Sequence, residues 1–380
     1  MSTHLRFKAL VVQRRLTDYR VPFFEALRLA LADRDCALRL AFGDPTEEEA
    51  VKQDSGNISW GERLETRYLF DGRLCWQPFY QQGKDADVTI ITSENKLIYN
   101  LVVQYSSKPN RVVLWGHGAN LQGDENSLRE RFKRVVARRA DWWLAYTQLS
   151  VPLIERSGFP GERITVLHNA VDTTELAALR AKISDEELLK VRKRVGVEGG
   201  HVGIFIGSLY AEKRIEFMLE AAEKIRILVP DFELLVVGAG VQKSIVNSFC
   251  STRPWVKYLG ALKGQAKVDA LAISNVMVNP GLVGLGILDS FVCEVPMVTT
   301  DCGLHSPEIA YLTSGENGLM TENSLIAFST SVADVLLGDR FRRQLMSGCE
   351  ASAKEYTTQN MARRFAEGVL KCLVQPRYRP

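Results

Sequence analysis

Four turns in the second half of the chain hold residues suited to binding an anion. In the first, an apolar run ends at Gly207, and the chain passes Ser208 and delivers Lys213 near the start of an amphipathic stretch. An ammonium beside the unpaired N–H groups of a helix start favours negative charge. In the second, Gly238 and Gly240 follow the run Leu234-Leu235-Val236-Val237, where glycine permits close approach by a flat ligand; a plain tight turn reads equally well. The third ends at Leu259-Gly260, with Leu262 just beyond. The fourth runs from Val278-Asn279-Pro280 through Gly281, Gly284, Leu285 and Gly286 into Ile287-Leu288-Asp289. Its glycines would leave successive N–H groups, up to that of Ile287, free to hold a diphosphate, and Asp289 in the first helical turn can face a ribose diol.

Other chemistries find little support. The seven cysteines are scattered, without a CxxC pair or a histidine at ligand spacing, so they read as buried thiols and no metal is expected. A net charge of +3 is too small to imply nucleic acid. The first apolar run, 9–12, is too short for a secretory signal or a spanning helix, so a cytoplasmic protein is expected.

The elements that must position these turns alternate along the chain. Apolar runs at 7–12, 37–42, 87–91, 111–115, 142–146 and 164–167 read as strands, with helical spacing at 22–31, 94–105, 128–139 and 149–157. A charged helix-prone stretch then reaches Gly196-Val197-Glu198-Gly199-Gly200, a candidate hinge. A second alternation has strands at 202–206, 233–237, 256–259, 276–279 and 297–299. Its helices are expected at 213–228, 241–250, 266–273, 287–293, 324–337, 340–355 and 360–373. A chain of 380 residues exceeds one core, and this order predicts an α/β protein of two Rossmann-like, doubly wound parallel-sheet domains. In such sheets ligands sit outside the carboxyl ends of the strands, where the four turns lie.

The order of Lys213, Gly238-Ala239-Gly240, Leu259-Gly260 and Gly284 to Asp289 resembles the donor half of glycosyltransferase family 4, which has the GT-B fold. The stretch 305–320 and, more weakly, Asp18-Tyr19-Arg20-Val21-Pro22 and Asn169-Ala170-Val171-Asp172 are similar to segments of that family. The resemblance implies two domains facing a central cleft: an acceptor domain at 1–170, a linker at 171–200, a donor domain at 201–355, and a C-terminal helix at 356–380 packing back on the first domain. It also implies metal-independent transfer, with retention, from a nucleotide-diphosphate sugar to a glycan or lipid-linked acceptor. Lys213, Gly207, Ser208, Gly238, Gly240, Leu262 and Gly284 to Asp289 would bind the donor, and His117 would contact the transferred sugar. The chain departs from the family pattern at Gly281 or Val283, where the first Glu of a Glu-x7-Glu motif would stand, at Ser208 in place of an Arg, and at 13–20, which lacks paired glycines.

The basic stretch 128–139 reads as a helix with a solvated face or as a contact for anionic lipid, which would suit a lipid-linked acceptor and peripheral attachment to a membrane. A non-catalytic nucleotide-sugar-binding subunit and a sugar-nucleotide epimerase of the same fold are the competing functions.

Overall fold

Apolar runs without alternation suit parallel strands covered on both faces, and the run Phe232–Val237 is buried at every residue. The computed structural model describes residues 5–51, 53–94, 96–106, 110–118 and 135–378. The chain forms two units, Met1–Asp172 with Thr357–Pro380, and Thr173–Tyr356. Each is organised around a parallel sheet.

In the first unit β1 (Phe7–Arg15), α1 (Val21–Ala32) and β2 (Cys36–Gly43) make the opening βαβ turn. The strands β3 (Glu62–Arg63), β6 (Val88–Thr92), β7 (Arg111–Gly116), β8 (Trp142–Ala145) and β9 (Ile164–Val166) complete a sheet of order β3-β2-β1-β6-β7-β8-β9. Between β3 and β6 lies a small antiparallel hairpin, β4 (Arg67–Leu69) with β5 (Leu74–Trp76). Helices α2 (Ile98–Tyr105) and α3 (Ser150–Arg156) follow β6 and β8. The expected helix at 94–105 thus starts later, at Ile98. Residues 119–134 of the sequence, and with them most of the basic stretch 128–139, lie outside the described residues.

The second unit opens with α4 (Thr174–Arg180) and α5 (Asp185–Val195), where the sequence reading expects a linker. Both helices belong to this second unit. α5 is fixed at both ends: Ser184 and Glu187 form a capping box, and Gly196 closes it at φ 75°. The stretch expected as a hinge is also fastened, because the Glu233 carboxylate accepts from Glu198 N at 2.7 Å and Gly199 N at 2.6 Å. The sheet follows: β10 (His201–Ile206), α6 (Ile215–Leu228), β11 (Phe232–Val237), α7 (Lys243–Cys250), β12 (Val256–Gly260), α8 (Gly264–Ala272), β13 (Val276–Val278), α9 (Ile287–Val292), β14 (Met297–Thr300) and β15 (Gly318–Thr321). Its order, β12-β11-β10-β13-β14-β15, reverses direction between β10 and β13. That is the dinucleotide-fold order, and the crevice at the reversal is where such sheets take ligands.

Helices α10 (Leu325–Leu337) and α11 (Asp339–Glu355) end this unit, and α12 (Thr358–Val374) returns to the first. Thr357 caps α12 by accepting from Asn360 N at 3.1 Å. The helix buries Met361, Phe365, Val369, Cys372 and Leu373 against α1 and the strands β7 to β9. Phe365 meets Phe23 and Trp115 edge-on, with centroids 5.6 and 5.2 Å away. Beside them Arg20, 7% exposed, is ringed by Tyr19, Phe23, Trp115 and Tyr146 and donates to Asn169 Oδ1 at 2.8 Å. All seven cysteines are free thiols, and burial pushes Cys36, Cys293, Cys349 and Cys372 up to about 12, which leaves them unreactive at neutral pH.

Candidate functional site

The reversal between β10 and β13 brings two loops together, 207–214 and 279–286, and Lys213 stands where they meet. The lysine ends a 3-10 turn, Ala211–Lys213, and its Nζ donates to Leu282 O at 2.5 Å. No carboxylate pairs with it among the described residues. Burial pushes the ammonium down to about 8, since a desolvated cation without a counter-ion loses its proton more easily. A neighbouring anion would reverse that shift. The next residue, Arg214, sits in the left-handed region at φ 56° and locks the turn by donating to Pro280 O, Thr300 Oγ1 and Asn323 Oδ1 at 3.2, 3.0 and 2.7 Å. Arg214 is invisible to motif reasoning, because an arginine after a lysine reads as one more surface charge.

The place of the missing carboxylate is decided by packing. A Cβ on Gly281 would lie 2.4 Å from Glu212 O and 2.6 Å from Lys213 O. Any side chain there must push the Lys213 turn away. Gly281→Glu is therefore expected to lower, not raise, affinity for a nucleoside-diphosphate sugar, by more than about tenfold if one charge-assisted hydrogen bond from Lys213 is lost. Calorimetric titration of the variant checks this; tighter binding would mean the position accepts the acid. Gly238 and Gly240 each make room for another stretch of main chain. Their added Cβ atoms would meet Gly207 O at 1.8 Å and Leu209 O at 2.3 Å, so these glycines let the β11 turn rest on the β10 turn. Hydrogen bonds from Gly207 N to Val237 O and from Leu209 N to Ala239 O hold that contact.

The glycine-rich loop is tied down on one side and open on the other. Leu282 N donates to Glu212 O at 2.8 Å, Val283 N to His305 Nδ1 at 3.1 Å, and Ser306 N to Val283 O at 2.9 Å. The Ile287 N–H, expected to be free, is used inside the turn by Gly284 O at 3.1 Å. Among the described residues the N–H groups of Gly284, Leu285 and Gly286 have no acceptor in the chain. These three N–H groups and Lys213 form a set of positive groups for an anion.

Asp289 differs from the expectation of a carboxylate open to a diol. Its Oδ2 lies 2.7 Å from Lys267 Nζ of α8, and burial raises its pKa while Lys267 lowers it. Lys267 escapes the sequence reading because its partner comes from another helix. Ser208 is exposed, Leu262 is half-buried between β12 and α8, and Gly286 has open space on its Cβ side. His117, in the first unit, follows β7; it is exposed and packs edge-on against Tyr146 at 4.3 Å. At the end of β1, where the paired glycines are missing, Arg14 and Arg15 pair with Glu49 at 2.6 Å and Asp54 at 2.7 Å. The arginine holds Glu49 down at about 2.

A cavity of about 520 Å3 opens at the opposite edge of the second sheet, lined by Arg226, Asp231, Glu233, Trp255 and Lys257 among others. Two of its carboxylates are in ion pairs: Lys257 lies 3.2 Å from Glu233, and Asp231 pairs with His201 at 2.7 Å. We therefore place the site at the loops, not in this cavity. Among the described residues no three His, Cys, Asp or Glu side chains gather as a metal site, and no helix is long and apolar enough to cross a membrane.

The loops lie within the part of the chain that matches a family model. Residues 200–337 match the family model described as Glycosyl transferases group 1. No curated protein matches the chain. Among solved structures, HepE of Anabaena in complex with UDP is similar over 96% of this chain and 100% of its own, with 15% identity and a TM-score of 0.70. A glycosyltransferase from Rickettsia africae is similar over 97% and 99%, with 14% identity and a TM-score of 0.71. A mutant of S. aureus TarM, in complex with Fondaparinux, alpha-GlcNAc-glycerol and UDP, is similar over 97% and 100%, with 10% identity and a TM-score of 0.63. At these identities the likeness shows the fold, which is GT-B: two α/β units with parallel sheets of seven and six strands.

Proposed function

We propose that the protein is a glycosyltransferase of the family 4 type that moves a sugar from a nucleotide-diphosphate sugar to a glycan or lipid-linked acceptor. One observation carries the reading: a desolvated, carboxylate-free Lys213 faces the loop whose Gly284, Leu285 and Gly286 N–H groups have no acceptor among the described residues, at the reversal of a dinucleotide-type sheet. The family match over 200–337 spans these residues, and the HepE structure was solved with UDP. In the reaction the bond from the anomeric carbon to the diphosphate oxygen breaks, and its electron pair leaves with the diphosphate. The acceptor hydroxyl forms the new glycosidic bond, and its proton passes to the leaving group. Negative charge grows on the diphosphate as the sugar gains oxocarbenium character, so donors that tighten on the diphosphate lower the barrier. Lys213 and the three loop N–H groups supply that charge stabilisation in this reading without a metal, His117 contacts the transferred sugar, and configuration is retained. Action at the inner membrane face in surface polysaccharide or glycolipid synthesis follows if the acceptor is lipid-linked.

The test is a panel of UDP-, GDP- and ADP-sugars. A true donor raises the melting temperature through mass action, and product analysis with and without acceptor then separates transfer from epimerisation and from binding alone. A panel in which no nucleotide sugar stabilises the protein sinks the proposal.

A further inference from the structure

The imidazole of His305 lies between the glycine-rich loop and the end of β14, and both ring nitrogens are in use. Nδ1 is 3.1 Å from Val283 N, whose hydrogen can only be donated, so Nδ1 must be the unprotonated, accepting nitrogen. Nε2 is 2.8 Å from Thr300 O, a carbonyl that can only accept, so Nε2 must carry the proton. The two contacts together fix one neutral tautomer. Protonation would put a hydrogen on Nδ1 opposite the Val283 N–H and break the link. Val283 itself is 0% exposed, so its N–H would be left buried without a partner. The residue next in the chain to Val283 is Gly284, the first of the three loop N–H groups that have no acceptor among the described residues.

We propose that His305 is a positioning residue, a neutral clip that fastens Val283 to β14 and so sets the anion-binding loop, which makes donor binding depend on His305 staying unprotonated. The inference rests on the donor reading of that loop. The charges around the ring are mixed: Asp301 favours the imidazolium, Lys213 opposes it, and the Cys302 thiol lies 3.7 Å from Nε2. Arg214 approaches the same strand end but is turned to Thr300 Oγ1. Burial outweighs Asp301 and holds the ring below the ordinary histidine range. The folded state therefore binds the proton less readily than the unfolded chain. Stability from the clip is complete above about pH 6.5 and is lost as pH falls below it.

Three forms of the full chain test the proposal: wild type, His305→Asn, whose amide oxygen can accept from Val283 N without titrating, and His305→Phe, which cannot accept. Nitrogen NMR of labelled histidine, assigned with the Phe variant, should show the Nε2–H tautomer at neutral pH. Affinity for UDP-, GDP- and ADP-glucose, whose diphosphate does not titrate near neutrality, should weaken as the wild-type ring protonates and level off about fivefold to tenfold lower. The Asn variant should lack this acid limb, and the Phe variant should bind about fivefold to tenfold more weakly at pH 7 as well. A charged ring or the Nδ1–H tautomer at neutral pH overturns the clip, as does an Asn variant with the wild-type pH profile. If the tautomer is as expected but wild type binds none of the three nucleotides, the donor reading fails and the positioning role falls with it.

Discussion

Lys213→Met is expected to weaken binding of the nucleotide-sugar donor by roughly 10-fold to 100-fold, the worth of one charge-assisted hydrogen bond, and to slow transfer at least as much. Methionine keeps the stem that passes Gly207, where the lysine Cε lies 3.5 Å from the place of a Cβ, and removes only the ammonium. The loss should not come from unfolding. A cation desolvated without a carboxylate is a cost to the folded state, and its pKa of about 8 lies below the ordinary lysine value of 10.5. The unfolded chain therefore binds more protons between these two values, and stability of the free protein should rise with pH across that window. In the methionine variant that rise should shrink. Donor affinity runs the other way: bound diphosphate holds the lysine pKa higher, so affinity falls as pH climbs from about 8 towards that raised value. Calorimetric titration across this range checks both signs. Wild-type affinity in Lys213→Met would remove the lysine from the site.

The sequence disclosed the parts of the site that depend on local chain geometry. A buried strand that ends in glycine and leads to a helix must place its turn at the carboxyl edge, and Lys213 and Gly284 to Gly286 are found there. It could not disclose which groups meet across elements. His305 clips Val283 across 22 residues, Lys267 pairs with Asp289 from another helix, and Arg214 reaches Thr300 across 86. Glycine was the least legible residue. In the sequence Gly238 and Gly240 read as room for a ligand and Gly281 as a free N–H, and each gives room to another stretch of main chain. The strands β3 to β5 and β15 escaped notice for a simpler reason. They are two to four residues long, too short for a pattern of burial to repeat.

The helix at the chain's end should matter most to stability. It carries the buried stripe Met361, Phe365, Val369, Cys372 and Leu373 and packs on α1, whose Phe23 meets Phe365 and whose Phe24, Leu27 and Leu31 are also buried. Gly368 lets the helix approach β8 closely, since a Cβ there would stand 2.5 Å from Leu144 Cδ2. Met361 Sδ also accepts from Ala170 N at 3.3 Å, joining the helix to the segment after β9. Phe365→Ala should cost about 3–5 kcal/mol, because the neighbouring rings of Phe23 and Trp115 cannot collapse into the space. That is a large part of the stability of a typical domain. Removing 359–380 strips the whole stripe and should unfold the first unit, with loss of the near-ultraviolet signal of Trp115, Trp142 and Trp143, which are buried there. The second unit has its own core, from Phe205 and Met218 to Phe328 and Leu345, and should keep a cooperative transition. Denaturant titration followed by tryptophan signal and by backbone dichroism separates the two outcomes. A truncated chain that melts like the full one would mean that α1 and its sheet hold together without this helix.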